Sequence, residues 1–348
     1  MATIRDVSKR AGVSRSTASR IIAGNGYVSD NARQAVEAAI AELGYRPNTM
    51  ARGLRSNRSE IIGAVVVNVA SPFYAQMVGG MQSVCRAADK SILLASGYAQ
   101  AHEESRAILE LIDRSCDGLI LYLENAVSDE VKDVVAKADI PIVAIGGEPT
   151  SLAWARVGID NYNGALDGMR YLLTMGHRDI AYFAGTPTYF DTRERLRGID
   201  TALAEVGMSR GDIYLEAGDY KERFGYEATE RLLASGRKVS AIFAGDDDIG
   251  AGVLLALRHH GVKAPEQISL LGFDDNFHAR HLTPSLTTIR QPTDIAGQTA
   301  ARLLLGMIAD RNFVPDDVVI PAELIVRESV VHPSARHQTD HAAEAARV

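Results

Sequence analysis

From Ile61 onward, short apolar β-rich runs alternate with amphipathic stretches at helical spacing, and this alternation constrains the fold more than any other feature of the chain. Ile61 to Val67, Ile92 to Ala95, Gly118 to Leu121 and Ile142 to Ile145 form a first series; Ile180 to Ala184, Ala241 to Ala244 and Leu270 to Phe273 form a second. Runs that are apolar throughout are buried on both faces, as in a parallel sheet covered by crossover helices. Two series in tandem predict two lobes, each a doubly wound parallel sheet. A ligand is then expected in the cleft at the carboxyl ends of the strands.

The 348 residues suit two or three domains, and no apolar run approaches the roughly 20 residues that cross a bilayer, so no membrane partner is expected. The first ten residues hold four charged side chains, which argues against a secretory signal and for a cytoplasmic, nucleoid-associated protein. Cys85 and Cys116 sit in apolar-patterned segments without a C-x-x-C pair. They read as reduced, buried thiols and not as a disulfide or a zinc site.

The net charge of −7 hides an asymmetry. Residues 1–59 carry ten Lys/Arg against four Asp/Glu, a net of +6, which leaves −13 on the remainder. A basic head on an acidic body points to a head that meets phosphate, because neutralising phosphates releases their counterions.

The head reads as three helices. Thr3 can cap a helix with Ile4, Val7 and Ala11 on one face, and Gly12 supplies the turn. Ser14 can cap the next, whose apolar positions Thr17, Ala18, Ile21 and Ile22 run to Gly24. Two short helices about a glycine turn form a helix-turn-helix, and the polar face with Arg15, Ser16, Ser19 and Arg20 suits base edges in the major groove. A third helix starts at Ser29 or Asp30 and stops at Gly44. Pro47 then breaks helical geometry, and Asn48 can cap the short stretch Thr49 to Arg55, about two turns and too short to hold alone.

The run Thr3-Ile4-Arg5-Asp6-Val7-Ser8-Lys9-Arg10-Ala11-Gly12-Val13-Ser14 with Thr17, Ser19 and Arg20, followed by Leu43-Gly44-Tyr45-Arg46-Pro47-Asn48, resembles the head of the LacI/GalR family of bacterial repressors. The body resembles that family's effector domain, of type 1 periplasmic-binding-protein fold. The matching segments are Ser71-Pro72-Phe73-Tyr74, Val157-Gly158-Ile159-Asp160, Arg195-Leu196-Arg197-Gly198, Gly272-Phe273-Asp274-Asp275 and Leu286-Thr287-Thr288-Ile289-Arg290-Gln291. At Gly245-Asp246-Asp247 the chain departs from the pattern, where Asn commonly precedes the Asp.

The resemblance implies an α/β regulator: a helix-turn-helix domain at 1–46, a hinge helix at 47–59, and an effector-binding and dimerisation domain at 60–332. Its N-lobe would take about 60–159 and 292–320, its C-lobe about 160–291 and 321–332, leaving a tail at 333–348 without fixed structure. The implied DNA contacts are Thr3, Ser14, Arg15, Ser16, Thr17, Ser19 and Arg20, with Asn48, Ala51, Leu54 and Arg55 in a hinge that folds on a duplex operator, Leu54 wedging into the minor groove. The implied effector contacts are Phe73, Tyr74 and Tyr220 as aromatic surfaces, and Asp160, Asp191, Arg195, Asp246, Asp274 and Gln291 as polar groups. Aromatic rings beside carboxylates suit a sugar, and a nucleoside or purine would use the same rings. Without leucine heptads in the tail, a homodimer is expected and not a tetramer.

No nucleotide, hydrolase or metalloprotease signature competes for the cleft, so neither an enzyme nor a cofactor is expected. Asp246-Asp247-Asp248 could be read as a magnesium site, but capping of a helix by Asp247 fits adjacent carboxylates better. The irregular spacing of His332, His337 and His341 argues against a metal site there. The rival from another class is a solute receptor of similar body fold, which would need a signal peptide and no basic head.

Overall fold

The computed structural model describes residues 2–22, 27–45, 59–147 and 150–333, and the chain divides into two units, Met1–Ser59 and Glu60–Val348. Asn48, Ala51, Leu54 and Arg55 of the expected hinge, and His337 and His341 of the tail, lie outside the described residues.

In the first unit α1 (Ile4–Arg10), α2 (Arg15–Ile22) and α3 (Asp30–Leu43) close over Val7, Ala18, Ile21, Val36 and Ala39. Thr3 forms a capping box with Asp6, whose Oδ2 accepts from the Thr3 amide at 2.9 Å. Gly12 and Gly44 take left-handed backbone, φ +67° and +57°, at the two helix exits, which a side chain would resist. Arg10 pairs with Glu42 between α1 and α3, but both are exposed, so the small apolar core and not the ion pair holds the unit.

The second unit carries two six-stranded sheets. The first has the order β2 (Ser91–Ser96), β1 (Ile61–Val66), β3 (Gly118–Leu121), β4 (Ile142–Ile145), β5 (Ala155–Ile159), β11 (Val318–Ile320), all parallel. The second has β7 (Tyr214–Ala217), β6 (Ile180–Ala184), β8 (Ala241–Ala244), β9 (Ser269–Asp274), β10 (Thr287–Arg290) and β12 (Glu323–Ile325), the last antiparallel. The seven runs seen in the sequence are all strands, six inside their sheets and one, β2, at an edge. Strands β5, β7, β10, β11 and β12 carry more polar residues or are only three long, and pattern alone did not reveal them.

The first sheet is flanked by α4 (Pro72–Ala87), α5 (Ala101–Asp113), α6 (Asp129–Ala138) and α11 (Thr293–Ala309). The second has α7 (Asn161–Thr174), α8 (Phe190–Glu205), α9 (Glu222–Ala234) and α10 (Asp247–His259). The chain passes between the sheets at 159–161, 290–293 and 320–323. Helices α4 and α11 cross backbone to backbone: a Cβ on Gly80 would stand 2.1 Å from the Asp294 carbonyl oxygen, and one on Gly297 2.0 Å from that of Met77. Cys85 and Cys116 are free and buried, and burial raises both thiols, Cys116 to about 11. Among the described residues no helix is long and apolar enough to cross a membrane.

Candidate functional site

Strand order decides where a ligand can sit. β1 lies beside β3 and β6 beside β8, each pair with crossovers leaving in opposite directions, and the crevice outside their carboxyl ends is open. A cavity of about 350 Å³ occupies that place. Its first-lobe wall follows β1 (Asn68, Phe73, Tyr74), β2 (Tyr98) and β3 (Tyr122, Glu124). Its second-lobe wall follows β6 (Tyr189, Asp191, Arg195), β7 (Asp219, Tyr220, Lys221), β8 (Asp246) and β9 (Asp274).

The apolar surface is aromatic. Phe73 and Tyr74 meet edge to face at 4.9 Å, and Tyr74 meets Tyr122 at 5.1 Å. Opposite them Tyr189 and Tyr220 lie nearly parallel, 6.3 Å apart. Tyr220 is set by a 2.6 Å hydrogen bond between its hydroxyl and that of Thr192, and by Gly185, where a Cβ would fall 1.9 Å from the ring. The ring therefore rests on bare backbone.

Arg195 organises the polar floor. Its Nε donates to Asn161 Oδ1 at 2.7 Å, Nη1 to the Gly245 carbonyl, and Nη2 stands 3.7 Å from Asp274 Oδ1. The guanidinium also covers the Phe273 ring at 3.8 Å. Burial pushes the Asp274 carboxyl up to about 7, against the opposing pull of Arg195 and of the Gln291 amide, which donates at 2.5 Å. Burial first, then the Asp274 and Asp248 carboxylates, hold Asp246 well above the usual range. Asp274 and Asp275 take positive φ, +109° and +53°, and so do Tyr98 and Ala99 on the facing rim, +52° and +54°. Left-handed backbone at four non-glycine positions is strain of the sort that collects at ligand sites.

A raised carboxyl pKa carries a sign. Folded Asp274 holds its proton up to about pH 7 and unfolded Asp releases it near 3.8, so this group's contribution to stability declines as pH rises through that window and stays low above it. Asp274→Asn should therefore gain stability relative to the parent between pH 4 and pH 7. Denaturant titrations at several pH values check this, and a constant difference across the window would refute it.

A hydrogen bond spans the cleft: the Tyr122 hydroxyl, after β3, donates to Asp191 Oδ2, on α8, at 2.8 Å, with both residues buried. Burial raises both groups. Tyr122→Phe leaves a buried carboxylate oxygen short of a donor, an expected cost of about 1–2 kcal/mol in thermal unfolding. An unchanged midpoint would show that the bond contributes nothing.

Of the nine expected effector contacts, seven line the cavity: Phe73, Tyr74, Asp191, Arg195, Tyr220, Asp246 and Asp274. Two do not. Asp160 caps α7, accepting from the Asn163 amide at 2.9 Å, and Gln291 stands behind Asp274 and positions it. The expected cap by Asp247 also shifts by one residue. Asp246 caps α10, accepting from the Ile249 amide at 2.7 Å, while Asp247 turns inward to the Asn276 amide and the Thr288 hydroxyl. Tyr98, Tyr122, Glu124, Tyr189 and Asp219 were missed, although Tyr122 and Glu124 directly follow a recognised strand and strand-end logic alone would have found them.

In the head, Thr3 and Ser14 serve as caps, with Ser14 Oγ accepting from the Thr17 amide at 3.1 Å. Arg15, Ser16 and Arg20 are exposed on α2, and Thr17 and Ser19 are half-buried. The first turn of α2 holds Arg15 and no acid, the wrong sign for the helix dipole. Arg15 is thus placed against the dipole, at a cost to the helix, while Arg20 in the last turn agrees with it.

A basic helix-turn-helix unit in the same chain as a two-lobed unit with an enclosed aromatic and acidic cleft defines a DNA-binding regulator under small-molecule control. Two family models match: bacterial regulatory proteins of the lacI family over residues 3–48, and a periplasmic binding protein-like domain over residues 169–330. The HTH-type transcriptional regulator AscG of Escherichia coli is 33% identical over 96% of this chain and 100% of its own length. The HTH-type transcriptional repressor PurR of Erwinia tasmaniensis is 31% identical over 95% and 97%. Among solved structures, a transcriptional regulator CelR–cellobiose complex aligns with TM-score 0.71 at 33% identity, covering 94% of this chain and 100% of that one. The Lac repressor dimer bound to operator and the anti-inducer ONPF aligns with TM-score 0.83 at 26% identity, covering 95% and 99%. The chain belongs to the LacI family of bacterial transcription regulators.

Proposed function

We propose that this regulator binds a two-fold symmetric operator as a homodimer and that a sugar-like effector in the cleft alters its operator affinity. The observation that carries this is the cavity itself, with aromatic faces on both walls and carboxylates between them. Arg15, Ser16, Ser19 and Arg20 take the major groove, Thr3, Ser14 and Thr17 support the helices and meet phosphate, and Asn48, Ala51, Leu54 and Arg55 order on the minor groove. Asp191, Asp246 and Asp274 accept from effector hydroxyls. Effector binding changes how the lobes close and thereby the spacing of the paired hinges, and its sign follows from which state the ligand binds better.

The regulator CelR, 33% identical and described as a cellobiose complex, favours a sugar. The cleft acts by binding and not by turnover, and the protein works in the cytoplasm on the nucleoid. Selection from random duplexes, followed by mobility shifts over a salt series, tests the reading. A symmetric site should be enriched with nanomolar-range affinity that falls steeply with salt. Failure to enrich any site would sink it.

A further inference from the structure

We infer that the cleft takes an uncharged, hydroxyl-rich ligand and rejects the phosphorylated or acidic forms of the same molecule; this rests on reading the cavity as the effector site. Five carboxylates line it, Glu124, Asp191, Asp219, Asp246 and Asp274, against two basic side chains, Arg195 and Lys221. Both cations already have partners. Arg195 is occupied by Asn161, Gly245 and Asp274, and Lys221, exposed at the mouth, has its Nζ 2.6 Å from Asp219 Oδ2. Burial raises the Asp191, Asp246 and Asp274 carboxyls, and even a protonated carboxyl there offers an anion no positive charge.

Helix N-termini could offset this, since their unpaired amides favour anions. Those reaching the cavity from the second lobe are already supplied: Asp191 sits in the first turn of α8, and Asp246 caps α10. Helix α4 opens with Pro72, which removes one amide hydrogen from its first turn and leaves those of Phe73 and Tyr74. An entering phosphate would surrender its hydration and meet five carboxylates in a confined space, against which the first-turn amides of α4 are a partial charge only. A hydroxyl meets the opposite case. Ionised carboxylates only accept, so each O–H of a polyol finds a partner while its carbon face lies on Phe73 or Tyr220.

Calorimetric titration of the full chain at matched ionic strength tests this with neutral and anionic pairs: cellobiose and cellobionate, glucose and glucose 6-phosphate, ribose and ribose 5-phosphate, adenosine and adenosine monophosphate. At least one neutral member should bind, with its anionic mate on the order of a hundredfold weaker, the scale of a close like-charge contact. In Asp219→Asn, which releases Lys221, that gap should narrow. An anionic member binding as well as its mate, a panel in which no neutral member binds, or a gap unmoved by Asp219→Asn each overturns the inference. A neutral ligand that binds without changing operator affinity leaves it standing and removes the regulatory reading instead.

Discussion

Replacing Arg195 by alanine should destabilise the two-lobed unit by about 3–5 kcal/mol, the range for removing one partner from a buried charge network. The side chain is 4% exposed and joins segments that lie far apart in the chain: Asn161 at the start of α7, Gly245 after β8 and Asp274 after β9. Its loss strands the Asn161 and Gly245 oxygens, takes a counter-charge from Asp274 and Asp246, and weakens that on Asp191, which Arg156 shares. Because those carboxyls then ionise at greater cost, the deficit should be larger at pH 8 than at pH 5. Urea unfolding at both values measures it, and a loss under about 1 kcal/mol would remove Arg195 from the structural account. Arg195→Lys should recover little, since a point charge cannot reproduce three directed contacts and the face on Phe273.

Leu54→Ala should weaken binding to the selected operator by about 3 kcal/mol, on the order of a hundredfold, while binding to unrelated duplex changes little. The basis is the family's wedge: unstacking a base step costs a few kcal/mol, which the contacts of the bent duplex offset, and alanine cannot hold the step open. Phosphate neutralisation by the arginines is untouched, so the salt slope should stay the same. Titrations on operator and on random duplex across a salt series separate the two terms. Equal losses on both would show that Leu54 does not act as a wedge.

These two residues mark different kinds of legibility. The role of Leu54 comes from position in an ordered motif, without any contact being seen. Arg195 was singled out from a motif as well, as an effector contact; it lines the cavity, and only the folded chain shows that its guanidinium also ties Asn161, Gly245 and Asp274 together. Asp160 and Gln291 show the same limit more sharply. A carboxylate at a strand end and an amide after another both look like ligand groups, and which one faces the cavity depends on the turn of the backbone after each strand.

The sequence by itself determined the helix-turn-helix, through Thr3, Gly12, Ser14 and Gly44 at helix ends, and the two parallel sheets, through seven apolar runs, because caps and buried strands are local demands on residue type. It also determined the basic head and acidic body. Tertiary structure alone decided the cavity wall. Tyr122 meets Asp191 only when the carboxyl ends of both sheets line one cleft, Tyr189 approaches Tyr220 only when β6 and β7 pair, and β5, β7, β10, β11 and β12 become strands only by pairing with neighbours already in place. The charge balance of the cleft is a sum over the chain after five strands, β3, β6, β7, β8 and β9, that no single stretch contains.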